Sequence, residues 1–313
     1  MKVRRKRIYF LIGFFLLSVL VYFLPIPVTQ TARVTIRMPY LKTFEQISSL
    51  ENWKRWWPDS TAVMVKGDTI FANGRTAYIL NEKKMLSLVF KEDYRLVYHV
   101  LTVVPATYDS VSTVQWKKLS YLRTAVDDQL GGWFGRHKYS PDDLLQSLKK
   151  TLEDPVRYYG FPISVGPVED TFVLVKSTFT TRSRLQESIL NTYRFLHSYL
   201  DSVHYTGRAE RMLYMDSSRA DSVEVIAGFS ITKLLNVQLP LRVMTMPKAH
   251  IVIGEYEGDY RNIGAIHRAI QNFMLDHRIS AVAIEYEKML SNPRTAQDSQ
   301  HVRVKVYHPS YIP

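Results

Sequence analysis

Hydrophobic and polar positions change rhythm several times along this chain. From Ile8 to Leu24 the run IYFLIGFFLLSVLVYFL carries no charge, and the uncharged stretch continues through Pro25 and Pro27 to Ala32. As a helix, Ile8 to Val28 would rise about 31 Å, near the thickness of a bilayer core. Arg33 to Met38 then alternates as a strand does, and after Pro39 the spacing of Phe44, Ile47 and Leu50 is helical. From Ala62 to Tyr121 the period becomes two. Turn signals at Lys66-Gly67-Asp68 and Asn73-Gly74 separate short β-rich runs, and further strands are predicted at Leu86 to Phe90, Leu96 to Val104 and Val111 to Trp116. Gly131 to Gly135 reads as a loop. Ser140-Pro141-Asp142-Asp143 reads as an N-cap, a first-turn proline and two acids facing the positive helix end, with Leu144, Leu145, Leu148 and Leu152 on the apolar face.

Beyond a hinge at Gly166-Pro167 one pattern is written twice, about 80 residues apart. The first copy predicts a strand at Thr171 to Phe179, a helix with Leu185, Ile189, Leu196, Leu200 and Val203 on one face, and strands at Arg211 to Met215 and Val223 to Ile231. The second predicts a strand at His250 to Tyr256, a helix with Ile263, Ile266, Ile270 and Phe273 on one face, and strands at Ile284 to Leu290 and Val302 to Tyr307. Each copy is strand–helix–strand–strand.

The opening RVTIRMPYLKTFEQISSLENWKRWWP and the closing SPDDLLQSLKKTLE, with antiparallel strands between them, resemble the START-like (SRPBCC, polyketide-cyclase-like) superfamily over residues 33–160. The resemblance implies a curved sheet gripping a C-terminal helix around a cavity for apolar molecules or lipids. It carries no catalytic residue over. Trp53, Trp56 and Trp57 are read as a structural corner rather than as a ligand mouth.

The text GEYEGDYRNIGAIHRAIQNFM, followed by YEKMLSNPRTAQDSQHVRVKVYHP, is similar to the GyrI-like family of effector-binding domains, over residues 168–309 with copies at about 168–233 and 243–309. Where that family usually has Gly-Pro-Tyr, this chain has Gly258-Asp259-Tyr260, and Met289 stands where a tyrosine is common. The resemblance implies a pseudo-twofold pair of units with a ligand cavity at their junction. It also implies a cavity glutamate that binds lipophilic cations among aromatic rings, and by motif that glutamate is Glu287. A delocalised cation can neutralise a carboxylate in an apolar box without needing strong hydration, and each ring can add roughly 0.5–2 kcal/mol. Tyr286, Tyr256, Tyr307 and Glu224 are the other candidate ligand-binding residues.

Composition narrows the chemistry. There is no cysteine in the 313 residues, which excludes disulfides, thiolate metal sites, a cysteine nucleophile and lipidation at cysteine. The net charge of +12 owes five units to Lys2, Arg4, Arg5, Lys6 and Arg7, so the body is only mildly basic and no nucleic-acid partner is expected. Histidine spacings contain no paired ligand motif, and no nucleophile elbow, P-loop or dinucleotide fingerprint occurs, so neither metal nor cofactor is expected. The basic cluster before the apolar run favours a cytoplasmic N-terminus (1–7), a single-pass anchor (8–28) and soluble domains on the extracytoplasmic, periplasmic side. A cleaved signal peptide competes, but Thr29-Gln30-Thr31 is a poor cleavage site.

The chain is therefore expected to be α+β: an N-terminal transmembrane helix, a helix-grip START-like domain, then a duplicated GyrI-like domain. The expected function is binding of a small apolar or amphipathic molecule by a membrane-anchored protein. The alternatives are an enzyme using Glu287 as base with Tyr256 or Tyr307 as proton donor, and a structural or partner-docking envelope module.

Overall fold

The computed structural model describes residues 2–59, 61, 63–72, 76–92, 97–106, 110–133, 139–207, 209–216, 221–247, 249–290 and 301–311. The chain is α+β with two antiparallel sheets, and it divides into two compact units at Asp154/Pro155.

The first unit opens with α1 (Lys2–Phe23) and continues with β1 (Pro27–Ile36), α2 (Tyr40–Ser48), α3 (Trp53–Trp56), β2 (Val63–Lys66), β3 (Thr69–Ala72), β4 (Thr76–Lys84) and β5 (Ser87–Glu92). It closes with β6 (Tyr98–Pro105), β7 (Ser112–Tyr121), α4 (Leu122–Trp133) and α5 (Pro141–Leu152). The sheet order is β1-β7-β6-β5-β4-β3-β2. Helix α5 begins with a reciprocal capping box: Ser140 Oγ accepts from the Asp143 amide, and Asp143 accepts from the Ser140 amide. Its buried Leu144, Leu145, Leu148 and Leu152 face β1 and β7. Trp53 and Trp56 are each 1% exposed and Trp57 5%, and Trp53 also meets the rings of Phe90 and Trp116. Asn73-Gly74 lies outside the described residues, as do Phe134 and Gly135. Gly131 and Gly132, read as loop, belong to the last turn of α4.

The expected membrane anchor is corrected by this structure. Among the described residues no helix is long and apolar enough to cross a membrane. The uncharged run does not stay helical: α1 ends at Phe23, and Pro27 and Val28 already pair with Tyr121 and Ser120 in the sheet. The charge-free helical part, Ile8 to Phe23, rises only about 24 Å, short of the roughly 30 Å of a hydrocarbon core. Its end is also held by protein. The Tyr22 hydroxyl donates to Asp127 at 2.6 Å, and the Arg123 guanidinium lies over the Tyr22 and Phe23 rings. The single-pass topology, and the extracytoplasmic placement that followed from it, fall with the anchor.

The second unit comprises α6 (Pro155–Tyr159), β8 (Ile163–Pro167), β9 (Phe172–Thr180), α7 (Leu185–Ser202), β10 (Glu210–Asp216), β11 (Val223–Ile231) and β12 (Leu241–Thr245). It continues with β13 (His250–Gly258), α8 (Gly264–Asp276), β14 (Ser280–Ala281), β15 (Tyr286–Met289) and β16 (Val302–Tyr311). The sheet order is β12-β9-β11-β10-β15-β16-β13-β8, with β14 pairing β16 outside that path. The order is palindromic. β9-α7-β10-β11 matches β13-α8-β15-β16, and β12 and β8 flank the two halves as equivalent outer strands. The seam between halves is the β10–β15 pairing, where Leu213 stands opposite Glu287. One sheet face carries two apolar cores: Leu196 and Leu200 of α7 over Leu174, Leu213 and Val225, and Ile266 and Ile270 of α8 over Val252, Val304 and Val306. Met289 packs against both.

Candidate functional site

Strand β15 determines which side chains share the seam, because successive residues of a strand point to opposite faces. Glu287 pairs with Leu213 and Val306, which belong to the helix-side cores, so its carboxylate faces α7 and α8. It is 5% exposed. The Tyr260 hydroxyl donates to its Oε2 at 2.7 Å, and His267 Nε2 lies 3.0 Å from its Oε1. Tyr260 arrives on the short 3₁₀ turn that Asp259 caps, and His267 comes from the first turn of α8.

A second carboxylate, Glu285, stands two residues earlier. Its Oε1 is 3.3 Å from His267 Nδ1 and its Oε2 is 2.8 Å from His308 Nε2. The contacts with both histidines hold the Glu285 carboxyl well below the ordinary glutamate range, against the opposing effect of partial burial. Burial disfavours a charged His267 ring, but Glu285 and Glu287 on either side outweigh it and push its pKa up to about 9. Tyr260 is pushed well above the usual phenol value, first by burial and then by Glu287, so it remains a hydrogen-bond donor.

Of these groups, His267, Glu285 and Glu287 border a cleft of about 490 Å³. Leu185, Leu213, Met215, Val223 and Ile263 form apolar walls, Tyr214 adds a hydroxyl and Arg182 a cationic group, and the carboxylates of Glu285 and Glu287 flank His267. Such a lining can hold an apolar body while orienting one charged or hydrogen-bonding end.

The residues named from sequence do not all meet here. Glu287 borders the cleft, and so does Tyr286. The Tyr286 ring, however, stacks on Tyr307 with centroids 5.0 Å apart, in the core of Val173, Val175, Met212 and Ile251 on the opposite sheet face. Tyr256 packs in the α8 core and donates to the Asp259 carbonyl at 2.6 Å. Glu224 accepts from Ser177 at 2.6 Å, away from the cleft. Tyr260, His267, Glu285 and His308 were not singled out as functional from sequence. The usable signal was Glu285-Tyr286-Glu287, two acids at a strand's same-face spacing beside an apolar helix carrying a histidine.

No protein-family model matches the sequence, and no curated protein matches it. Solved structures do resemble parts of it. The chain is similar to the C-terminal domain of EcmrR (12% identity, 49% of this chain and 99% of that one, TM-score 0.38). It is also similar to EcmrR in its DNA complex (12% identity, 61% and 70%, TM-score 0.43) and to a hydrolase from Listeria innocua (10% identity, 47% and 91%, TM-score 0.36). At these identities and scores the likenesses concern partial architecture and carry nothing about activity.

Proposed function

We propose that this protein binds a small molecule with an apolar body and a cationic or hydrogen-bonding end, in the cleft beside Glu287. The observation that carries the reading is a cleft of ligand size whose walls are apolar and whose one end holds two carboxylates. The GyrI-like resemblance of residues 168–309 supports it, with Glu287 as the ligand-facing acid. In the first unit, the START-like resemblance of residues 33–160 belongs to the same proposal as a second apolar-ligand fold. Of the other candidates, Tyr286 borders the cleft although its ring packs on the opposite sheet face, whereas Tyr256, Tyr307 and Glu224 do not line it.

One observation favours a second reading, an acid–base enzyme. Buried Glu287 and the Tyr260 hydroxyl are in direct hydrogen-bond contact, which pairs a base with a proton donor. In that reading Tyr260 replaces Tyr256 and Tyr307 as donor.

Calorimetry of the full chain with tetraphenylphosphonium, and with dodecanoate as the anionic counterpart, tests the binding proposal. Saturable binding of the cation that weakens at least tenfold in Glu287→Gln is expected. Binding of neither probe, or binding indifferent to Glu287→Gln, would overturn it.

A further inference from the structure

We infer that His267, Glu285 and His308 form a binding site for a divalent transition-metal ion of the zinc class. The site shares His267 and Glu285 with the cleft, but the argument for it does not rest on the small-molecule reading. The three residues come from α8, from the segment entering β15 and from β16, and one ligand atom from each lies within 4.8 Å of the others.

Two buried nitrogens point to a ligand there. His267 Nδ1 and His308 Nε2 are inaccessible and have no hydrogen-bond partner, although each lies at ion-pair distance from Glu285. The contacts are close but not aligned for an N–H donor. His308 is 5% exposed, so bulk solvent does not reach this nitrogen. A metal ion accepts both lone pairs and needs no N–H alignment.

The surroundings of His267 agree. Its Nε2 faces Glu287 Oε1 at 3.0 Å, so when a metal ion displaces one ring proton the other stays on Nε2 and the freed Nδ1 lone pair is directed toward Glu285 and His308. A carboxylate behind a ligating imidazole is the usual outer support of a metal-bound histidine. Zinc–nitrogen and zinc–oxygen bonds of about 2.0–2.1 Å place neighbouring tetrahedral ligands roughly 3.3 Å apart, the observed His267–Glu285 separation, whereas Glu285 Oε2 and His308 Nε2, 2.8 Å apart, have to separate slightly to admit an ion. Two imidazoles and one carboxylate select against calcium and magnesium, which take oxygen ligands. Three protein ligands leave a fourth position, and His267 and Glu285 border the cleft. Of the other histidine–carboxylate contacts, His197–Asp201 and His301–Glu257 are largely exposed pairs, and buried His99 has both ring nitrogens partnered, by Glu92 and Trp116.

The test is titration of the purified, chelator-treated full chain with Co²⁺ and Zn²⁺. One Co²⁺ per chain is expected, with the strong visible absorption of a four- or five-coordinate ion, displaced by Zn²⁺. His308→Gln and Glu285→Gln should each lower Zn²⁺ affinity at least a hundredfold, and Glu287→Gln, which only positions His267, about 10–100-fold. His301→Gln should leave it unchanged. A weak, octahedral aqua-type Co²⁺ spectrum from the wild-type chain overturns the proposal without relying on any variant's folding. So does affinity retained in folded His308→Gln, or lost in His301→Gln.

Discussion

The Tyr260 hydroxyl and Glu287 Oε2 are 2.7 Å apart, and this hydrogen bond joins the turn before α8 to the seam between the two halves of the second sheet. It satisfies one oxygen of a buried carboxylate whose other oxygen meets His267 Nε2 at 3.0 Å. Tyr260→Phe removes the donor and leaves the acceptor buried, which should cost about 1–3 kcal/mol. All five tryptophans lie in the first unit, so urea unfolding of the second unit should be followed by hydrogen exchange or near-ultraviolet tyrosine signals. Equal stability of Tyr260→Phe and wild type would show that this bond contributes nothing.

Lys288, one residue on, points to the opposite face, where its ammonium lies 2.7 Å from Asp170 and 2.8 Å from Glu210. It is buried. Lys288→Ala leaves two carboxylates with their shared cation removed and should destabilise the second unit by roughly 3–5 kcal/mol. The double variant Lys288→Met with Asp170→Asn should recover part of that loss. A single variant as stable as wild type would contradict the account.

Gly228 on β11 has no room for a side chain. A Cβ there would stand 2.7 Å from the Leu174 carbonyl oxygen on the neighbouring strand, and backbone cannot swing aside as a side-chain tip can. Gly228→Ala should therefore cost about 1–3 kcal/mol. By contrast, Gly166→Ala meets no atom within 4 Å and should be near neutral. The comparison needs only the two midpoints of unfolding.

In the first unit Trp116 Nε1 donates to His99 Nδ1 at 2.9 Å, so the His99 proton sits on Nε2, which lies 2.8 Å from Glu92. Burial works against the Glu92 charge, but the His99 hydrogen bond and the nearby Lys118 ammonium outweigh it and hold the carboxyl below the ordinary glutamate range. A depressed pKa contributes stability above the unfolded value near 4.5, and that contribution is lost as pH falls through the folded value. Tryptophan fluorescence, which reports this unit alone, should show acid destabilisation beginning below about pH 5, and Glu92→Gln should flatten it. A variant with the same acid limb as wild type would assign that limb to other groups.

Much of the fold was legible along the chain because local rules and the final structure agree. The Ser140-Pro141-Asp142-Asp143 start of α5 is a local capping problem with a local solution, and the period-two and helical stretches of both copies reflect which face of each element is buried. Elements governed by distant partners were not legible. The uncharged run toward Val28 looked like one long helix, yet antiparallel pairing of Pro27 and Val28 with β7 ends it. Likewise β8 and β12 are edge strands whose pairing partners lie far away in sequence. Glu287 could be named from its motif, since a short text carries it. Its partners could not. Tyr260 and His267 reach it from 27 and 20 residues away, and Glu285 and His308 meet only because β15 and β16 pair. Sequence by itself determined the elements and their buried faces, because those follow from spacing along one segment. Which acid faces which histidine was decided by strand register and by the seat of α8 on the sheet, and both are properties of the folded chain alone.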